Sequence, residues 1–175
     1  MGAALDDYGP QSAAYYLARA RGGAALLLIN TQVSQAVESL GPSEILSKQN
    51  YQQLAAIIAA AHQYDCKIGI QLHPGNGRIA APPPGRTRPL AAACVLAPDG
   101  KTLCEPLSRQ DIHLIEEGFK RGLYYAGQAG ADCIEIHAYG GYLADQFLTK
   151  RWNNRTDEYG GSLSGRMRFL NELIA

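Results

Sequence analysis

Hydrophobic positions along the chain follow two alternating periods. "AALLLIN" (24–30), "KIGIQL" (67–72) and "DCIEIH" (132–137) are short, nearly continuous apolar runs. Runs of this length read as strands buried on both faces. Between them the spacing becomes helical. "QSAAYYLARAR" (11–21) stops at Gly22-Gly23, a helix-ending pair. "YQQLAAIIAAAHQY" (51–64) keeps Leu54, Ile57, Ile58 and Ala61 on one face. Ser108 and Asp111 have the spacing of a capping box. Behind them Ile112, Ile115, Phe119, Leu123 and Ala126 form a stripe that Gly130 ends, and "RFLNELIA" closes the chain in a further helical pattern.

The order α-β-α-β-α-β-α predicts a parallel sheet with crossover helices. A loop holding Gly41-Pro42 joins the first strand to the second helix. Residues 74–106 form an irregular excursion with "APPPGRTRP" and a hairpin, "CVLAPDGKTLC", turning at Asp99-Gly100. Three strands cannot close a barrel and would leave two unpaired sheet edges. The expectation is therefore one incomplete domain over residues 1–175.

Composition narrows the partners. Hydrophobic residues make up 46% and charged residues 18% of the 175, as in an ordinary globular protein. Sixteen basic residues balance sixteen acidic ones, which argues against nucleic acid or an anionic membrane as the partner. No apolar run is long enough for a bilayer, and "MGAALDDYG" lacks the features of a signal peptide. A cytoplasmic protein with a small-molecule substrate is expected, and a homo-oligomer is left open. Cys66, Cys94, Cys104 and Cys133 show no metal-site spacing. Cys66 and Cys133 are read as buried thiols at strand entrances. A two-residue turn would set Cys104 opposite Val95 rather than Cys94, so no disulfide is expected.

In parallel α/β folds the chemistry gathers at the C-terminal ends of strands. Those positions hold Asn30, Thr31 and Gln32 after the first strand, Gln71 and His73 after the second, and His137, Tyr139 and Tyr142 after the third. Polar groups converge there after apolar runs, which outweighs any single residue. "PGNGR" holds a lone G-x-G, a weak phosphate signal. Arg78, Arg86 and Arg88 read as a solvated loop face rather than an anion site.

The stretch "ADCIEIHAYGGYLADQFLTKRWNNRTDEYGGSLSGRMRF" (131–169) resembles the Old Yellow Enzyme group of NADH:flavin oxidoreductases and ene-reductases at their fourth barrel strand. "QLHPGNGR" is similar to the end of their third strand, and "YYLARARGGAALLLINTQV" to the helix and second strand. The resemblance implies an α/β fold, part of an FMN-binding (β/α)8 TIM barrel without its first and fifth to eighth strands. It implies an oxidoreductase that passes hydride from NAD(P)H through FMN to an activated alkene. The alkene class would be an enoate, a dienoyl thioester or an unsaturated ketone or steroid-like molecule. Gln71 would bind the flavin pyrimidine edge, with Thr31 near the flavin. His137 would donate to the substrate carbonyl, and Tyr142 would deliver a proton to the α-carbon.

Two positions depart from the family pattern. Its second substrate donor, usually His or Asn, falls on Gly140, so either Tyr139 occupies that space in substrate binding or substrates are held through one donor and residues outside this chain. Gly165 stands where Asn is frequent. Asn153, Arg155, Asp157 and Tyr159 match the pattern and read as structural pins. Larger relatives carry an iron–sulfur cluster and FAD in C-terminal regions outside this chain. The alternative is a non-catalytic half-barrel that needs a partner to complete the flavin site. An isolated segment is expected to bind FMN poorly.

Overall fold

The computed structural model describes residues 8–33 and 46–175, so the Gly41-Pro42 loop lies outside the described residues. The chain runs through α1 (Pro10–Arg21), β1 (Leu26–Gln32), α2 (Tyr51–His62), β2 (Lys67–His73), β3 (Leu90–Ala91), β4 (Glu105–Pro106), α3 (Arg109–Gln128), β5 (Cys133–Ile136), α4 (Leu143–Leu148) and α5 (Leu163–Ile174). Two compact units result. Described residues 8–33, 46–73 and 120–136 form the first, and 74–119 with 137–175 the second.

The first unit is a parallel sheet in the order β1-β2-β5. Pro10 at the first helical turn starts α1, where its missing N–H is no loss, and Gly23 at φ +90° follows its end. Leu54, Ile57, Ile58 and Ala61 are buried on α2, each large aliphatic contributing roughly 1.5–3 kcal/mol of burial. Gly122 on α3 lets that helix approach β2, since a Cβ there would lie 3.0 Å from Leu72 Cδ2. Leu123, one position further round, is 39% exposed. That corrects the expected stripe, because the glycine takes the contact that the leucine was expected to make.

The strands are not buried on both faces. Side chains alternate along a strand, and Ile29, Thr31, Ile68, Ile70 and Leu72 on one face are buried. The opposite face carries Leu28, Asn30, Gly69, Gln71, Cys133 and Glu135 in register, none of them buried except Gly69. Cys133 is exposed while Cys66 is buried, so the expected pair of buried thiols is half corrected. A side chain at Gly69 would collide with Leu28 and with Cys133 Sγ, 2.6 Å from an added Cβ. Glycine there admits both neighbours. β1 also runs two residues beyond the expected strand, because Thr31 and Gln32 continue the pairing with Leu72 and His73.

At the N-terminal end of this sheet, Asp132 ties β2 to β5. Its carboxylate accepts from Ile68 N–H (2.8 Å) and pairs with His62 (2.7 Å) and Lys67 (3.1 Å). Burial opposes its ionisation, but these bonds outweigh that and hold the carboxyl at about 2.

The second unit packs α4 on α5. Phe147 stacks on Phe169 at 4.4 Å between centroids. The hairpin forms an antiparallel bridge between Leu96 and Leu103. Cys104 N–H bonds Val95 O at 2.8 Å, the expected pairing, and all four cysteines are free. Ser108 and Asp111 bond reciprocally at the start of α3, Ser108 N–H to Asp111 Oδ2 (2.8 Å) and Asp111 N–H to Ser108 Oγ (3.1 Å).

Candidate active site

Register builds the first polar group. Asn30, Gln71 and Glu135 lie side by side across β1, β2 and β5. Asn30 Nδ2 donates to Gln71 Oε1 at 2.8 Å, and Gln71 Nε2 donates to Glu135 Oε1. The row stands on the open face near the C-terminal end of β2. A carboxamide held at both ends has a fixed plane and retains a second N–H and a second lone pair. Thr31 belongs to the other face. It is buried, and its Oγ1 accepts from Leu46 N–H at 3.0 Å. Gln71 and Thr31 are therefore not brought together on one face.

The second polar group follows β5 directly. Gly140 and Gly141 both take left-handed backbone, at φ +77° and +78°, where other L-residues are strained. This double turn carries the chain into α4 with Tyr142 at its N-cap. The Tyr142 ring meets the His137 ring edge-on, centroids 4.8 Å apart at 79°. Tyr139 lies 5.4 Å from His137 at 34° and is 74% exposed. His137, Tyr139 and Tyr142 are thus brought into one aromatic cluster. A Cβ at Gly140 would come within 3.2 Å of the Tyr142 ring. In this chain the missing second donor and the placement of Tyr142 go together.

The neighbouring loops are occupied with their own bonds. Gly77, at φ +62°, packs on the Gln146 carboxamide, so the G-x-G of "PGNGR" serves a close approach within the protein. Arg86 and Arg88 pair with Glu105 at 2.8 and 3.0 Å. The Arg78 guanidinium lies 4.1 Å over Trp152 and donates to Leu96 O at 3.0 Å. Asn153 Nδ2 bonds Phe147 O (2.8 Å) and Tyr159 O (2.7 Å). Arg155 reaches Ala92 O (2.7 Å), Leu107 O (2.9 Å) and Asp157 (2.6 Å). Gly165 leaves room for the Gly160 carbonyl, on which a Cβ would fall.

Sequence reasoning passed over Glu135 as a partner of Gln71 and gave Gln146, part of the quoted family stretch, no role. Register exposes the first, since a strand-end Gln needs a fixed neighbour. Gln146 is fully buried among Ala144, Phe147 and Leu143. Its apolar surroundings in "LADQFL" were the available signal. Among the described residues no cluster of three His, Cys, Asp or Glu could hold a metal, and no helix is long and apolar enough to cross a membrane.

A parallel sheet with crossover helices and polar groups at its strand ends is an α/β arrangement with its chemistry gathered beyond the strands. The chain belongs to the NADH:flavin oxidoreductase / NADH oxidase family, whose model it matches over residues 2–175. It is 35% identical over 167 residues to an NADPH dehydrogenase of Listeria welshimeri, covering 92% of this chain and 47% of that protein. It is 32% identical over 175 residues to a cinnamate reductase of Clostridium sporogenes, covering 91% and 25%. The crystal structure of Old Yellow Enzyme from Pichia sp. AKU4542 superposes with a TM-score of 0.77 at 26% identity, covering 94% of this chain and 46% of that one. The chain spans about half, or less, of the length of these relatives.

Proposed function

We propose that the protein is an FMN-dependent oxidoreductase that reduces an activated alkene with NAD(P)H. The observation that carries this reading is the edge-on His137–Tyr142 pair, set by two left-handed glycines immediately after β5. In this reading residues 1–175 hold the second to fourth strands of the family's barrel. The open face with Asn30, Gln71 and Glu135 is the barrel's interior.

The donor set fits a flavin. Its pyrimidine edge alternates acceptors with an N–H donor, and the Gln71 carboxamide offers both a donor and an acceptor in one fixed plane. Gln71 would hold that edge. Thr31, on the covered face, would act through Leu46, whose N–H its hydroxyl accepts. Bound FMN would supply the hydride step between NAD(P)H and the alkene.

The remaining work falls to this chain's side chains. His137 donates a hydrogen bond to the carbonyl or carboxylate oxygen that gains charge. Tyr142 gives its phenolic proton to the α-carbon, and its contact with the His137 ring fixes where that proton starts. With glycine at 140, the substrate oxygen takes a single donor from the turn itself, and Tyr139 covers the outer side of His137. Substrates with a small, strongly polarised head suit this arrangement best, namely enoates and enones. The cinnamate reductase among the relatives supports that class.

The test is to express the full-length native protein, identify its bound cofactor and follow NADPH oxidation with cinnamate and with 2-cyclohexenone. Bound FMN together with stoichiometric alkene reduction is expected. A flavin-free protein, or flavin reduction with neither alkene accepted, would reject the reading.

A further inference from the structure

Gln146 is fully buried in α4, and its whole carboxamide is used on backbone outside that helix. Nε2 donates to Gly141 O at 2.6 Å and to Asn76 O at 3.2 Å. Oε1 accepts from Arg78 N–H at 3.2 Å. Two bonds run parallel to this clamp: Leu143 N–H to Gly75 O (3.0 Å) and Gly141 N–H to Asp145 Oδ2 (2.7 Å). Gly77 completes it. A Cβ there would stand 2.5 Å from Gln146 Nε2, and its φ of +62° is itself left-handed. The loop after β2 and the turn that carries His137 and Tyr142 are thereby fastened through one side chain.

The chemistry of the clamp selects a carboxamide. Two carbonyls must each receive an N–H from a single atom, while an amide N–H must find an acceptor on the other atom of the same planar group. A carboxylate would face both carbonyls with lone pairs, and leucine would remove the Gln146 partner of three part-buried backbone groups.

We infer that Gln146 is a positioning residue for proton delivery: it holds the Gly141 turn, and with it Tyr142, against the 75–78 loop. This rests on the proposed reading of Tyr142 as proton donor. Gln146 touches neither substrate nor cofactor in this assignment and acts through the turn.

The test uses Gln146→Leu and Gln146→Glu in the full-length, flavin-loaded protein. Backbone hydrogen exchange is read at Arg78, Gly141 and Leu143, with α5 as the internal reference. Gln146→Leu should raise exchange at Arg78 and Leu143 roughly ten-fold while α5 stays protected. It should also slow alkene reduction and spare flavin reduction by NAD(P)H. Gln146→Glu should match it at neutral pH and regain protection as the pH falls, because the protonated carboxyl donates again. Unchanged exchange in both variants, in a wild-type protein that reduces alkenes, overturns the inference alone. An equal rise in α5 overturns it too, since Gln146 would then hold the whole unit. A wild-type protein that reduces no alkene removes the reading on which the positioning role stands, and the inference falls with it.

Discussion

The loop from Asn153 to Tyr159 matches the family pattern and the turn from His137 to Tyr142 matches it except at Gly140, yet they use their side chains in opposite ways. In the loop, Asn153 and Arg155 are committed to backbone carbonyls and to Asp157. The bonds of these two side chains run within the protein. In the turn, glycines carry the backbone conformation and the aromatic side chains meet one another, with Tyr139 reaching 74% exposure. A strong motif therefore marks two different needs: one segment holds the fold, and the other presents chemistry.

That contrast can be broken from either side. The largest effect is expected at the turn: His137→Ala should slow alkene reduction by about 10²–10³-fold, the usual result of removing one charge-stabilising donor. Stability in denaturant should stay near wild type. A slowed reaction accompanied by early unfolding would place His137 with the pins instead.

Arg155→Ala should do the reverse. The side chain is 9% exposed and serves two carbonyls and a carboxylate. Its loss should destabilise by about 2–4 kcal/mol in urea unfolding, with activity per folded molecule retained. Stability unchanged, or activity lost in the folded fraction, would erase the distinction.

The smallest effect concerns acid. The hydrogen bond from Arg155 holds the Asp157 carboxyl below the ordinary carboxylate value, against its partial burial. A depressed folded value stabilises the protein above the ordinary pKa of about 3.9, and that contribution disappears as pH falls through the folded value. Asp157→Asn should flatten this part of the unfolding-versus-pH curve. An unaltered slope would remove Asp157 from the acid response.

Much of this was legible in the residues. The three apolar runs became strands, and the Ser108–Asp111 spacing became a reciprocal cap. What the sequence hid depends on register. Thr31 and Gln71 both end apolar runs, but pairing Asn30 with Gln71 puts Thr31 on the helix-covered face. Cys133 and Glu135 looked buried because a strand's apolar run does not state how many strands cover it. Gln146 was harder to read for a different reason: a buried amide and a surface amide are the same letter, only its apolar neighbours hint at burial, and two of its three partners, Asn76 and Arg78, lie about 70 residues away in the chain.

The most direct measurement follows the two half-reactions of Tyr142→Phe in the full-length protein by rapid mixing. The account predicts flavin reduction by NAD(P)H at the wild-type rate and alkene reduction slowed about 10²–10⁴-fold, as loss of a general acid gives. Equal rates for wild type and variant in both half-reactions would contradict it, and so would equal losses in both.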